Sequence, residues 1–288
     1  MAAPDRATQT ASPAGAPSAE PAPAIAPVRP PARRKPRASG RRATLGWQVA
    51  ILVAIIAGMQ LLNITSGNLV MPSPVDVVRE SIIMWSDGTM LRALGQSLTV
   101  LGLGFILAAS TGIGIGILFG GFPRIGRVFD PFVNAINATP GAAFIPLVIV
   151  WFGLYTEAKV VVVWNAAVFP ILINTTGGIA NANKDLIEMA QSFGAARRQL
   201  FWQVMVPDAM PSILSGLRIG AAVCIVGTVI AELTMAQSGL GGEMIKAGNR
   251  FQMDRYFAVV IVMMALGSLI TIALRLAERR FGRWRLSL

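Results

Sequence analysis

The sequence predicts an all-α, polytopic membrane protein with about six transmembrane helices and one helical loop on the cytoplasmic side. Only 14% of its 288 residues are charged, against about 25% in average soluble domains, and its mean hydropathy is +0.60. Several apolar runs reach the length of about 20 residues that a span needs. A soluble bundle of buried helices is the alternative, and so many long uncharged runs in one chain argue against it.

The start of the chain differs from the rest. Residues 1–44 are rich in alanine and proline and contain no apolar run, so they cannot bury enough surface to fold alone. We expect a disordered, basic cytoplasmic tail whose arginine-rich cluster at 32–42 lies against acidic lipid headgroups. Residues 45–288 form the second, transmembrane domain.

Six segments are predicted to cross the membrane. The fifth is interrupted by Arg218 and Glu232, and Arg218 lies near enough to its cytoplasmic end for the side chain to reach the interface. The segments are roughly 47–63, 96–120, 133–154, 159–178, 212–235 and 256–276.

A surface helix is predicted between the first two spans. Ser73 can cap its start, Pro74 fits the first turn and Asp76 suits the positive end of the helix. Its apolar residues Val75, Val78, Ile82 and Ile83 share one helical face. We therefore expect 74–85 to lie as an amphipathic helix against the outer membrane surface.

Glycine and proline recur within the spans. The run TGIGIGILFG (111–120) lacks the strand–helix context of a dinucleotide-binding fingerprint, so its glycines, like Gly216 and Gly220, indicate close helix packing. Pro140 and Pro170 interrupt the helical hydrogen-bond ladder. Such breaks are tolerated where backbone is buried in protein or lines a cavity, so each marks a kink or part of a pathway.

The loop 183–210 is the most informative segment, because its pattern indicates two helices between apolar spans. Asn183 can cap the first helix and Gly194 can end it with a positive φ. The first helix has an apolar edge at helical spacing, formed by Leu186, Ala190 and Phe193. The second helix is expected from about 195 until Pro207, with Arg197 and Arg198 on one side. From physics alone, this pair could also be an elbow resting on lipid.

The distribution of positive charge predicts the orientation. Most of the 25 basic residues lie in the two terminal segments and in the loops at 121–130 and 183–210, which the positive-inside rule assigns to the cytoplasm. Both termini are therefore expected there. The other side carries fewer, namely Arg79, Arg92, Lys159, Lys246, Arg250 and Arg255.

Composition also excludes several kinds of site. The chain has no histidine and a single cysteine, Cys224, within a span, which leaves no internal disulfide, no His/Cys zinc cluster and no histidine-ligated haem. The net charge is +11, and the basic residues flank apolar spans. They therefore indicate membrane lipid rather than nucleic acid as the partner.

A few polar side chains fall within the spans. An acid inside a membrane is a functional hypothesis by default, and Glu232 is expected to face a pathway or to pair with Arg250 or Arg255. The pathway candidates are Thr139, Asn165, Asn174, Thr175 and Glu232.

The loop resembles the EAA motif of ABC-importer permeases, in which a glycine follows the glutamate of Glu-Ala-Ala by six residues and a proline follows that glycine by thirteen. Glu188, Ala190, Gly194 and Pro207 match this pattern, with Met189 in place of the middle alanine. Further segments resemble the nitrate/sulfonate/taurine branch of these permeases: MPSP (71–74), FIPLVIVWFG (144–153), FPILIN (169–174), LSGLR (214–218), AE (231–232) and SGLG (238–241).

The resemblance implies a type I ABC-importer permease in the bacterial inner membrane, with a small anionic or zwitterionic cargo such as an organosulfonate, taurine or nitrate. Its partners would be a cytoplasmic ABC ATPase dimer, a second permease expected to be an identical chain, and a periplasmic or lipid-anchored binding protein. The loop would couple to the ATPase through its apolar edge, through Gly194 as the turn, and through charged residues. The implied coupling residues are Leu186, Glu188, Ala190, Phe193, Gly194, Arg197, Arg198 and Pro207.

The chain itself is not expected to be an enzyme. It contains no GxxxxGK[ST] motif, so ATP and Mg²⁺ would be held by the ATPase, and no cofactor or metal is expected on this chain. A secondary transporter is the alternative, but it would carry internal repeats and ion-coupling groups within its spans. An intramembrane hydrolase would need a nucleophile with a base, which the spans do not supply.

Overall fold

The computed structural model describes residues 39–67, 71–235 and 238–281, which are nearly all helical and contain no β-strand. The all-α class is confirmed. These residues also contain a 3₁₀ turn (Gly141–Phe144) and a π turn (Leu200–Met205). The α-helices are α1 (Ser39–Ser66), α2 (Pro74–Ser86), α3 (Thr89–Gly121), α4 (Pro123–Ala138), α5 (Ile145–Phe152), α6 (Thr156–Ala180), α7 (Lys184–Ser192), α8 (Arg197–Gln199), α9 (Val206–Met235), α10 (Gly239–Asn249) and α11 (Met253–Phe281).

The helices supply up to six membrane spans, as predicted. A sixth candidate arises only if two helices, α4 and the segment of the 3₁₀ turn with α5, count as one broken span bent by 90°. Among the described residues, five continuous segments are long and apolar enough to cross: Gly46–Thr65, Thr89–Gly121, Thr156–Ala180, Arg197–Met235 and Met253–Ala273.

The third predicted span, 133–154, is broken at Pro140, where the sequence predicted an interruption of the helical ladder, and its two halves are bent by 90°. Thr139 is extended (φ −77°, ψ 130°), because a residue that precedes a proline is driven out of the α region. Pro140 has no N–H to continue the helical ladder, so the chain turns before the 3₁₀ turn begins. Pro170 behaves differently, since α6 runs through it without a break.

The first helix begins earlier than expected. The chain divides into two units, Met1–Ala50 and Ile51–Leu288. In the first unit, α1 starts at Ser39, inside the tail predicted at 1–44, because the residues after Pro36 include Arg41, Arg42 and Ala43, which are good helix formers. The rest of that tail, 1–38, lies outside the described residues.

The predicted surface helix at 74–85 forms as α2. Ser73 caps it, accepting a hydrogen bond of 3.1 Å from the Asp76 N–H. Its packed side consists of Val77 and Met84, which join a cluster with α3, α10 and α11. The apolar residues predicted to share a face remain exposed, as a lipid-facing surface requires: Val75, Val78, Ile82 and Ile83.

The central helix of the second unit is α6, which packs against α3 and α9. Glycines on both neighbours allow the close approach: a Cβ at Gly116 of α3 would lie 2.6 Å from the Thr175 Cβ, and one at Gly220 of α9 would lie 2.6 Å from Ile171 Cγ1. Gly112 and Gly120 face α6 in the same way. The packing role predicted for the glycines of 111–120 is therefore confirmed for Gly112, Gly116 and Gly120, whereas Gly114 is exposed and an added Cβ there would meet no atom within 4 Å.

Candidate functional site

The first helix of the 183–210 loop forms as predicted. The Asn183 side chain caps α7 by accepting a 2.9 Å hydrogen bond from the Asp185 N–H. At the other end, the Ala195 N–H donates to the Ala190 carbonyl (3.0 Å) and the Gly194 N–H donates to the Gln191 carbonyl (2.9 Å), which is a Schellman turn. Gly194 has a φ of 79°, so the glycine supplies the left-handed residue that this turn requires.

The second helix does not end at Pro207, which corrects the expectation. It starts after Ala196, whose N–H donates to the Gln199 side chain, and continues through the π turn into α9. The Val206 N–H bonds to the Phe201 carbonyl, five residues back, and Pro207 follows at the switch to α-helical spacing. A residue without an N–H is tolerated at this irregular turn, so loop and span form one continuous helical rod, Arg197–Met235.

An open groove separates α7 from this rod. Its volume is about 820 Å³, and Phe193 at the end of α7 is 86% exposed. Glu188, Arg197 and Arg198 are also exposed, outside the groove lining. The groove brings the predicted apolar edge together with the start of the rod, being lined by Leu186, Met189, Ala190, Phe193, Gly194, Ala195, Gln199, Gln203, Val204, Pro207 and Asp208.

Asp208, which the sequence did not indicate as a site residue, holds α7 in place beside the groove. The Asp208 Oδ2 accepts a 2.9 Å hydrogen bond from the Asn183 N–H, which ties the start of α7 to α9. Beside it, Phe201 of the π turn packs near Ile179, Ala209 and Ile213. The only signal for Asp208 in the sequence was an acid next to Pro207, and nothing local predicted that the chain would fold back onto it.

The pathway candidates are distributed over separate places. Thr139 and Asn165 line one cavity of about 220 Å³, between the broken span, α6 and α9. Asn174 lines a second, more polar cavity of about 330 Å³ that also reaches Asp208. Thr175 is buried against Gly116 of α3 and lines neither cavity.

Glu232 lies in a buried hydrogen-bond network rather than at a cavity wall. It is 0% exposed, and its carboxylate accepts from the Ser97 hydroxyl (2.7 Å) and from the Gly241 N–H (2.9 Å). Lys159 is 1% exposed and donates to the Ser238 carbonyl (3.1 Å) and hydroxyl (2.8 Å). Sequence reasoning had placed Lys159 among the surface charges and missed its burial.

The expected partners of Glu232 lie elsewhere, which corrects that pairing. Arg255 contacts Glu243 at 3.1 Å and Glu80 at 3.8 Å. Burial raises the pKa of Glu243, but its bonds with Lys246 and Arg255 outweigh that effect and hold its pKa below the usual value. Burial and the nearby Asp254 raise the pKa of Glu80. This charged cluster joins α2, α10 and α11 at the end of the bundle opposite α7.

The chain is similar to transport proteins over most of its length. Residues 112–283 match the family described as binding-protein-dependent transport system inner membrane component. The taurine transport system permease protein TauC of Escherichia coli (strain K12) is 31% identical over 244 residues, which cover 82% of this chain and 87% of that protein. The putative aliphatic sulfonates transport permease protein SsuC of Bacillus subtilis (strain 168) is 33% identical over 249 residues, covering 85% and 90%.

Solved transporters share the fold. One chain of the inward-facing MetNI methionine ABC transporter superimposes with a TM-score of 0.59 at 20% identity, covering 69% of this chain and 97% of that one. An amino acid ABC transporter with histidines gives a TM-score of 0.58 at 18% identity, with coverages of 69% and 97%. At these identities the similarity shows a common fold.

Proposed function

Because the chain belongs to the family of binding-protein-dependent transport system inner membrane components, we propose that it forms the membrane pathway for a small anionic or zwitterionic solute, such as an organosulfonate, taurine or nitrate. The chain is a multi-pass membrane protein and an ABC permease subunit with the type I importer fold. The cargo class is supported chiefly by the similarity to TauC and SsuC over more than four-fifths of the chain.

The groove beside α7 is the proposed attachment point of a cytoplasmic ABC ATPase dimer. Exposed apolar side chains such as Phe193 gain most from a partner that removes them from water. Arg197 and Arg198 stand exposed at the start of α8, where they can meet acidic groups of the partner. Glu188, on the exposed side of α7, is assigned to the same contact, and Gly194 sets the angle between α7 and the rod.

The pathway is proposed to run between this chain and a second, identical permease. Thr139 and Asn165 supply polar groups to a mostly apolar cavity, and Asn174 does so nearer to α7. Thr175 and Glu232 line none of the three cavities described above, so the proposed pathway does not include them. The one cation buried in this bundle, among the described residues, is Lys159, whose ammonium is bonded to Ser238, so we assign selection of the cargo to an external binding protein.

The remaining assignments concern partners and place. The binding protein is proposed to be periplasmic or lipid-anchored and the membrane to be the bacterial inner membrane. ATP and Mg²⁺ are assigned to the ATPase, with no cofactor or metal on this chain. The basic tail is assigned to acidic lipid on the cytoplasmic side.

Uptake into vesicles tests the proposal. The permease, its ATPase and its binding protein are reconstituted with ATP inside, and radiolabelled taurine, an alkanesulfonate and nitrate are offered outside. We expect accumulation of at least one of them only when ATP and the binding protein are both present, because the energy and the selectivity come from those partners. Accumulation without either would favour the secondary-transporter alternative, and no accumulation of any of the three would remove the proposed cargo class.

The orientation can be tested by labelling single cysteines. Ser192, the last residue of α7, and Asn249, the last residue of α10, are both exposed and are separated in the chain by the span that contains α9, and Cys224 is buried. In a Cys224→Ala background, Ser192→Cys should react with a membrane-impermeant thiol reagent only after the cells are opened, whereas Asn249→Cys should react in intact cells once the outer membrane is permeabilised. Equal labelling of both positions in intact cells would contradict cytoplasmic placement of α7 and of both termini.

A further inference from the structure

The segment that follows α9 is bonded to three different spans. We call this set of contacts the clasp: residues 238–241, Gln96 and Ser97 of α3, Lys159 of α6, and Glu232 of α9. The Gly239 N–H donates to the Gln96 side chain and the Leu240 N–H donates to the Ser97 hydroxyl, each at 2.9 Å. With the bonds to Lys159 and Glu232, every described residue from 238 to 241 has a polar contact to a span.

The clasp provides hydrogen-bond acceptors for the free N–H groups at the start of α10. Helix N-termini leave their first N–H groups without partners and carry partial positive charge. Here Gln96, Ser97 and the Glu232 carboxylate accept those bonds. The carboxylate thus holds the helix end by charge as well as by hydrogen bonding.

Two opposite charges are buried in the clasp. Lys159 and Glu232 both bond to the segment 238–241, and their removal from water is tolerated because each is hydrogen-bonded and carries a charge that offsets the other's. If one charge is removed, the other remains buried without an opposite charge. The pair therefore favours a single arrangement of α6, α9 and α10. An ion pair on the surface would contribute much less free energy to holding one arrangement of the helices.

The clasp lies directly behind the broken span. Ala158 and Ala231, each adjacent in sequence to one of the two charged residues, pack in one cluster with Ile145 and Val148 of α5. Ile145 also lines the cavity that contains Thr139 and Asn165. The surface on which α5 rests is therefore built by the residues that the clasp holds together.

From this geometry we propose that Lys159 and Glu232 are positioning residues, which make the ends of α3, α6, α9 and α10 opposite α7 one rigid platform for the broken span. The proposal rests on the proposed transport function: movement of α5 on this platform opens and closes the cavity, while the platform keeps its shape. Neither side chain contacts the cargo.

Charge is isolated from hydrogen bonding by the variant Glu232→Gln. The amide can accept from the Gly241 N–H and donate to the Ser97 hydroxyl, so the geometry is kept. The only change is that Lys159 no longer has a negative charge near it. The double variant Lys159→Met/Glu232→Gln removes both charges. Matched controls are Glu157→Gln, an exposed acid on α6, and Arg79→Met, an exposed cation on α2.

Two readouts separate positioning from mere stability. The first is uptake per inserted transporter, which we expect to fall about tenfold or more for Glu232→Gln and to return to within about threefold of the parent in the double variant, as for other buried pairs that are neutralised together. The second is the distance between spin labels at Val150 on α5 and Asn249 on α10, with labelled chain diluted in unlabelled chain. We expect this distance distribution to broaden in Glu232→Gln, to narrow again in the double variant, and to be unchanged in both controls.

Several results would overturn the proposal: normal uptake by Glu232→Gln, reduced uptake with an unchanged distance distribution, or a double variant as impaired as the single one. If Glu232→Gln does not insert, it is replaced by Ser97→Ala, which removes one hydrogen bond to the carboxylate. An unchanged spin-label distance distribution in Ser97→Ala would also contradict the proposal. The spin-label distance needs no substrate, so it tests the clasp even if the parent protein transports none of the cargo offered.

Discussion

Replacing Gly194 by valine should abolish transport while leaving the chain inserted in the membrane. The φ of 79° at Gly194 is a region that a β-branched residue avoids, at a cost of roughly 1–2 kcal/mol. A Cβ at this position would meet no atom within 4 Å, so the strain is purely conformational. The Schellman turn should therefore open and carry α7 away from the rod.

A conservative substitution at the same position provides the control. Asparagine adopts the left-handed region far more readily than valine, so Gly194→Asn should keep most of the uptake. ATP hydrolysis, uptake and membrane level are measured together for Gly194→Val, Gly194→Asn and the parent. Normal uptake by Gly194→Val at a normal membrane level would remove the coupling role of the turn.

Replacing Gly116 by leucine should strongly reduce the amount of folded protein. The new Cβ would fall 2.6 Å from the Thr175 Cβ and 3.0 Å from the Leu172 carbonyl, so α3 and α6 would be forced apart. Overpacking of this kind costs about 1–3 kcal/mol or more. The thermal stability of the purified protein and its level in the membrane should both decrease.

Gly114 provides the matched control because it lies on the same helix, is exposed, and has no atom within 4 Å of an added Cβ. Leucine there should face lipid and leave stability close to that of the parent. If Gly114→Leu and Gly116→Leu were equally damaging, helix propensity or insertion rather than contact with α6 would govern the effect. A stable Gly116→Leu would contradict the close approach of the two helices.

The parts of the structure that depend on neighbouring residues could be predicted from the sequence. The cap by Asn183, the positive φ of Gly194 and the cap of α2 by Ser73 each need only a few consecutive residues. The spans are also local, since their length and apolar composition decide insertion. The glycines of 111–120 could be assigned to helix packing from their small size alone, but which of them contact α6 and which, like Gly114, do not depends on the fold.

The parts that depend on distant contacts were missed. Pro140 predicts a break, but the 90° bend of the span depends on what α5 can pack against. Pro207 predicts a helix end, and the π turn that lets the helix continue through it has no sequence signature. Lys159 and Glu232 were each interpreted alone, one as a surface charge and the other as a pathway group. Nothing in either local sequence indicates that both would contact the segment after α9.

The clasp also determines when, during biosynthesis of the chain, Lys159 can become buried. Lys159 enters the membrane at the start of α6, before α9 and its Glu232 have been synthesised, so its ammonium must at first remain near the lipid–water boundary, where a long side chain can extend it. Only after α9 and the start of α10 have emerged can the amine find Ser238 and the carboxylate. Burial of this charge is therefore a late step, and a chain truncated before α9 should keep the lysine accessible to solvent.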